Sequence, residues 1–308
     1  MSARKVTDFV DRHYEVIFSN ADTKGMIRGW FTAVSGMRAQ QWRLDAVANN
    51  LANVNTDGFK REQAAFKAFP QLLLRRMNDD GVYLHPFGSA DAAPIIGRLG
   101  TGVEFNELYV SFEQGPLRET HSDFDLALDG HGFFAVSTPW GERYTRNGSF
   151  FLGVEGYLLT KSGFQVLGEN GPIRLQANNF QIDREGRIWA NAEYMDDPYA
   201  MIARERNAWN DTVLLDTIKV VDFDVPRYLR KQGTSLFFAT EISGPAHIME
   251  GPNRPTVWQG FIEAANVEPV REMIQMIEIN RAYEANQRVI QTHDSMLTTL
   301  INQVGRVN

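Results

Sequence analysis

The residues best equipped for chemistry lie between Thr120 and Gly132. His121-Ser122-Asp123-Phe124-Asp125, with His131 close behind, brings together a base, a hydroxyl and carboxylates. These are the ingredients of nucleophilic catalysis, but triad members meet through the fold and rarely by adjacency in sequence. No Gly-x-Ser-x-Gly elbow accompanies them. The pattern reads as a polar turn entering a strand, with Asp125 and Asp129 on its solvent face. The two histidines also lack a short ligand pair such as His-x-x-x-His, so a metal site is unsupported.

Other candidates fail on spacing. Asp79-Asp80-Gly81 and Glu185-Gly186 do not have the alternating carboxylates of a calcium loop. Gly97, Gly100 and Gly102 make a glycine-rich stretch, but no Lys-Ser/Thr follows and it precedes a strand. It reads as a turn. Asp222 and Asp224 flank Phe223 and face one side, without the second carboxylate pair that glycoside hydrolysis needs. His13, His85 and His247 are isolated, and His293 sits on a helical seam. The sequence therefore predicts no catalytic residue, no cofactor and no metal.

The elements that carry these residues fall into two kinds. From Ile27 to Val54 the apolar positions repeat every seven residues, as Ile27, Val34, Gln41, Ala48 and as Trp30, Met37, Leu44, Leu51. This is the narrow stripe of a coiled-coil helix, interrupted at Gln41. Gly29, Gly36 and the asparagines lower helix propensity, so the helix needs a partner. The C-terminal end repeats the pattern with Met276, Tyr283, Ile290, Leu297, Val304 and with Ile279, Asn286, His293, Leu300. Pro269 is suited to a first helical turn, and about 35 residues beyond it would span roughly 50 Å.

Between the ends, short runs such as Phe124–Leu128 and Gly132–Val136 alternate with Asp129-Gly130, Asn147-Gly148, Glu155-Gly156 and Asn170-Gly171. That is the rhythm of antiparallel hairpins. Lys219–Phe223 and Ser235–Ala239 extend it. The expected fold is α+β with a mainly β centre: N- and C-terminal helices pair as a coiled-coil domain joined to a central antiparallel β domain. Its expected parts are an atypical extension over 1–25 (a disordered leader or a misassigned start), a helix and turn over 26–76 and a connector over 77–99. A β domain follows over 100–258, with an insertion near 191–211, and then a helix over 259–308.

Composition agrees with a folded chain of 308 residues, 43% hydrophobic and 22% charged. A formal net charge of −7 disfavours nonspecific nucleic-acid binding. With no cysteine there is neither a disulfide framework nor a thiolate site. No apolar run reaches the roughly 20 residues that span a bilayer, and the charged first 20 residues lack the apolar core of a secretory signal.

Three blocks resemble one family. They are Ala48-Asn49-Asn50-Leu51-Ala52-Asn53-Val54-Asn55-Thr56-Asp57-Gly58-Phe59-Lys60; Leu126–Phe134 with Tyr144-Thr145-Arg146-Asn147-Gly148-Ser149-Phe150; and Gln259–Val270 leading into Asn280-Arg281-Ala282-Tyr283-Glu284. In order and spacing they are similar to the bacterial flagellar rod and hook (axial) proteins. The likeness favours a proximal rod subunit, with a distal rod or hook subunit as alternatives. It implies self-assembly through terminal helices, export by the flagellar apparatus without a cleaved signal, and a place in the periplasmic rod of the basal body. Implied partners are other axial proteins, the export apparatus, and ring or bushing proteins, with no nucleic acid and no membrane insertion.

The expected assembly residues are Ile27, Trp30, Val34, Met37, Leu44, Leu51, Met276, Ile279, Tyr283, Ile290, Leu297 and Leu300 on the seams. Asn49, Asn50, Asn53 and Asn55 join them at the turn. Those amides can terminate the helix or bond between subunits, and both readings stand. A rival of another class is a secreted β-rich binding module or hydrolase with helical dimerisation arms.

Overall fold

The fold comes from a computed structural model that describes residues 28–75, 83–85, 88–90, 95–177, 179–192, 212–251 and 254–304. The extension over 1–25, Ile27 and the insertion over 193–211 lie outside the described residues. Two helices frame a largely antiparallel β centre. Helix α1 runs from Arg28 to Ala52 and helix α2 from Pro269 to Val304, 36 residues long. Neither is long and apolar enough to cross a membrane.

The chain divides into two compact units. Among the described residues, the first unit contains the N-terminal part of α1, residues 64–107 and most of α2. Its strands include β1 (Glu62–Ala68), β2 (Leu72–Arg75), β3 (Tyr83–His85), β4 (Gly88–Ala90), β5 (Ile95–Leu99) and β6 (Val103–Val110). β1 pairs with β6. The stretch read as a connector, 77–99, holds strands β3, β4 and β5: β3 pairs antiparallel with β4, and β5 pairs antiparallel with β2, which like β1 lies in the segment read as helix and turn. Leu72–Leu74 and Ile95-Ile96 supply the apolar residues of the longer ladder.

The second unit takes in residues 46–63 and 108–274. Its strands continue as β7 (Leu117–Glu119), β8 (Leu126–Asp129), β9 (Phe133–Thr138), β10 (Gly141–Thr145), β11 (Phe150–Leu152), β12 (Leu158–Thr160) and β13 (Gln165–Val166). Then come β14 (Gln181–Ile182), β15 (Arg187–Asn191), β16 (Thr212–Thr217), β17 (Val220–Asp222), β18 (Arg230–Gln232), β19 (Leu236–Phe238), β20 (His247–Ile248), β21 (Thr256–Gln259) and β22 (Phe261–Glu263). The largest sheet is organised around β9, which pairs with β10, β13 and β17. Its residues Phe133 to Val136 are all buried, as suits a central strand covered on both faces.

Two apolar clusters flank this strand. One gathers Leu126, Leu128, Phe134, Val136, Ile188 and Ile218; the other gathers Phe133, Ala135, Val221, Phe223 and Phe237. Alternation along β9 sends neighbouring side chains to opposite clusters. The last strands return to the first: β21 pairs with β8 and β22 with β7. The Gly58 N–H donates to the Glu263 carbonyl at 2.7 Å, which sets the chain leading into α2 beside the segment that follows α1.

Candidate assembly interface

On α1 the most buried positions are small: Ala33, Ser35, Ala39 and Ala46, together with Val47 and Asn50. The larger stripe residues Trp30, Val34, Met37, Leu44 and Leu51 are half-buried, while Gln41 and Ala48 are exposed. On α2, Ile279 is buried; Met276, Ile290 and Leu297 are half-buried, and Tyr283 sits at the margin. The side chain of Leu300 lies outside the described residues.

Glycine sets the approach of the two helices within the first unit. A Cβ at Gly29 would lie 3.0 Å from His293 Nε2, and one at Gly36 would lie 3.0 Å from Asn286 Nδ2. Gly29 and Gly36 are seven residues apart, as are Asn286 and His293 in the opposite order, so the helices run antiparallel. The polar members of the α2 series therefore lie against positions of α1 that have no side chain. Elsewhere in this unit Trp42 stacks on Phe105 at 4.6 Å, and Thr32 Oγ1 donates to the carbonyl of Thr101 at 3.2 Å.

The asparagine turn is a polar construction inside the second unit. Asn50 is 1% exposed. Its Nδ2 donates to the Glu62 carbonyl at 2.9 Å, and its Oδ1 accepts from the Glu62 N–H at 2.9 Å. The same amide reaches Glu272 Oε2 at 3.4 Å. Asn49 Nδ2 donates to Glu62 Oε2 at 2.8 Å, and Asn53 Nδ2 donates to the Asn49 carbonyl at 2.8 Å. Asn55 is exposed. So three of the four amides make bonds within the chain, and that of Asn53 bonds a carbonyl of the last helical turn.

Beyond the turn the chain enters the β domain. Gly58 has φ +66, and a Cβ there would come within 2.4 Å of the Asn147 backbone N, so glycine is required. Phe59 is fully buried with Ala265 and Val267. Lys60, 1% exposed, donates from Nζ to Glu263 Oε1 at 2.6 Å and to the Glu113 carbonyl at 2.7 Å. Glu263 Oε1 also accepts the Gly115 N–H at 2.8 Å, and its Oε2 lies 3.5 Å from Arg146 Nη1. Arg146 is 3% exposed and donates from Nη2 to the Gly130 carbonyl at 2.6 Å.

Burial pulls both the Lys60 ammonium and the Arg146 guanidinium below their ordinary ranges, against the attraction of Glu263. Lys60, Arg146, Glu263 and Glu272 carried no role in the sequence reading. Their signal was a charge in an apolar or aromatic frame, as in Phe59-Lys60 and Phe261-Ile262-Glu263.

The residues first suspected of chemistry do not converge. Thr120 Oγ1 donates to Asp125 Oδ2 at 2.7 Å, the Asp125 N–H donates to the Ser122 carbonyl, and His121 lies in solvent beside Glu119. This is a polar turn. Asp222, Asp224 and His247 line an open groove in which His247 and Asp224 are both exposed. Among the described residues no group of three histidine or acidic side chains is placed to hold a metal ion.

Comparison with known proteins explains the architecture. Residues 32–60 match the family described as flagella basal body rod protein. Residues 127–190 match the flagellar hook protein FlgE/F/G D1 domain, and 259–303 match the flagellar basal body rod FlgEFG protein C-terminal family. The flagellar basal-body rod protein FlgG of Borreliella burgdorferi is 34% identical over 276 residues, covering 88% of this chain and 97% of that protein. The chain belongs to the flagellar basal-body rod protein family.

FlgG of Bacillus subtilis is 30% identical, with 90% of this chain and 99% of that protein aligned. The rod protein FlgF of Caulobacter vibrioides is 29% identical over 278 residues. Membership makes the chain a structural rod subunit of the flagellar basal body. Each matched stretch of this rod-family chain supplies one member of the buried triad: Lys60, Arg146 and Glu263.

Proposed function

We propose that the terminal helices form a coiled-coil core through which copies of this chain stack into the helical axial shaft of the rod. The function is mechanical, and the chain acts by assembly instead of catalysis. The observation that carries this reading is the seven-residue spacing found on both sides of one antiparallel contact, Gly29 and Gly36 against His293 and Asn286. A second support is the apolar surface left at the start of α2, where Val270, Met273, Ile274 and Ile277 are 45–65% exposed. A chain that stayed solitary would gain nothing from keeping that surface in water.

On this reading Trp30, Val34, Met37, Leu44, Leu51, Met276, Ile279, Tyr283, Ile290, Leu297 and Asn55 contribute to contacts within and between copies. Asn49, Asn50 and Asn53 act through the shape of the turn. The working domains are the helix and turn over 26–76, the segment 77–99, the β domain over 100–258 and the helix over 259–308. The subunit reaches the periplasmic rod through the flagellar export apparatus without a cleaved signal. There it contacts other rod and hook subunits and the surrounding ring or bushing proteins.

Deleting the gene tests the assignment directly. Rods and filaments should be missing and motility should return with the wild-type gene; a motile deletion strain with intact basal bodies overturns the proposal. Leu51→Asp or Leu297→Asp should abolish rod assembly in that complementation while the purified chain keeps its β-sheet circular dichroism. Full motility with either variant removes the seams from the interface.

A further inference from the structure

Asparagine followed by glycine is the pair at which a polypeptide modifies itself most readily. The glycine nitrogen attacks the side-chain carbonyl carbon of the asparagine and closes a cyclic succinimide. The Cγ–Nδ2 bond breaks, and the side-chain nitrogen leaves as ammonia with the proton of the glycine N–H. Water then opens the ring at either carbonyl, giving aspartate or isoaspartate. The reaction needs a glycine N–H without an acceptor, an accessible side chain and a backbone free to rotate.

The sequence holds two such pairs, Asn147-Gly148 and Asn170-Gly171. The fold treats them differently. Asn147 is half-buried; its Oδ1 accepts the Ser149 N–H at 2.9 Å, and its own N–H donates to Thr145 Oγ1 at 3.0 Å. Gly148 is buried, and its carbonyl accepts the Leu126 N–H at 2.9 Å. A Cβ on Gly148 would collide with the Leu126 carbonyl oxygen, so this backbone cannot rotate without leaving β8.

Asn170 is exposed, and a Cβ on Gly171 would meet nothing within 4 Å. Among the described residues no acceptor takes the Gly171 N–H. Aspartate-glycine pairs can close the same ring, but the two described ones are held. The Gly58 N–H donates to the Glu263 carbonyl at 2.7 Å, and the Gly130 N–H donates to Gln114 Oε1 at 3.1 Å. Of these four pairs, Asn170-Gly171 alone combines an exposed side chain with an unengaged, unobstructed glycine.

The surroundings of Asn170 give its modification a structural consequence. Its Nδ2 donates to Asp216 Oδ1 at 3.0 Å, and its N–H donates to the same oxygen at 3.3 Å. The adjoining segment runs along the end of β16: the Glu169 N–H donates to the Thr217 carbonyl at 2.9 Å, and the Lys219 N–H to the Leu167 carbonyl at 3.0 Å. Hydrolysis replaces the amide donor by a carboxylate facing Asp216. An attraction becomes a like-charge repulsion at the same place.

We propose that Asn170 is a site of spontaneous deamidation, and that its conversion releases the turn over 168–171 from the end of β16. The inference concerns the folded subunit and does not depend on the function proposed above.

The full chain carries its own control, because both asparagines precede glycine. Folded chain and urea-unfolded chain are incubated at mildly alkaline pH, and hydrolysis of each asparagine is followed by peptide mass spectrometry. In the folded chain Asn170 should react about tenfold faster than Asn147 or more, and the ratio should fall towards one in urea. No excess over Asn147 in the folded chain, whether both react alike or Asn170 stays intact, overturns the site.

Hydrogen exchange of the Glu169 and Lys219 amides reads the consequence. Asn170→Asp should exchange both about tenfold faster than wild type. Asn170→Asp combined with Asp216→Asn should restore the protection, since donor and acceptor have changed places. Wild-type exchange in Asn170→Asp, or no recovery in the double variant, overturns the release of the turn by charge.

Discussion

Asn50 and Tyr144 show how much a single buried polar group decides in this chain. The amide of Asn50 both donates to and accepts from Glu62 and reaches Glu272. Asn50→Ala leaves those backbone groups buried and unpaired, which should cost about 2–4 kcal/mol and lower the urea midpoint. Asn50→Asp keeps the shape but sets a carboxylate against the Glu62 carbonyl and Glu272, so it should be worse than alanine. An aspartate variant as stable as wild type would show that the amide hydrogens are unimportant. Tyr144 is pushed up from 10.0 to about 12, first by burial and then by Glu142. Its folded-state value is the higher one, so its contribution is complete below pH 10 and is lost as pH rises towards 12. Wild type should therefore lose up to about 2–3 kcal/mol across that window that Tyr144→Phe retains, measured by urea unfolding at pH 9 and at pH 11.5. Lys60 behaves in the opposite sense. Its value is lowered by burial, so its cost is present at neutral pH and fades as pH approaches 10.5.

Among the elements, the helices were the most legible. Period seven in the apolar residues and Pro269 at a helix start do not depend on distant contacts, so the extent of α2 follows from local rules. What each helix buries does depend on them. Gly29 and Gly36 read as weak points of α1 in isolation, yet they form the surface against which His293 and Asn286 pack. Gly36→Ala should be tolerated, because the end of the Asn286 side chain can give way and alanine gains about 1 kcal/mol in helix propensity. Gly36→Leu should separate the helices and lower the melting temperature of the helical circular dichroism signal. Equal melting of the two variants would refute close approach at this position. The strands within 77–99 were missed because the Gly, Pro, Ala and Asp content of that stretch is that of a loop. β2 and β5 are recognisable as strands once each has the other to pair with.

At the scale of the whole molecule, the sequence by itself determined the α+β class, the helical ends, the hairpin rhythm of the centre and the family resemblance. These are carried by periodicity, turn chemistry and contiguous blocks, which are local properties of the chain. The His121–Asp125 stretch forms the polar turn its residues suggested. The tertiary structure decided which polar residues matter. Lys60 and Glu263 are 203 positions apart, and Arg146 lies far from both in sequence, so no local pattern could pair them. They meet because β22 lies beside the segment that follows α1, where the Gly58 N–H donates to the Glu263 carbonyl. Three blocks that looked like separate signatures are thereby joined at one buried contact. Charge pairing in a low-dielectric interior depends on which groups are adjacent in space, and only the folded chain specifies that.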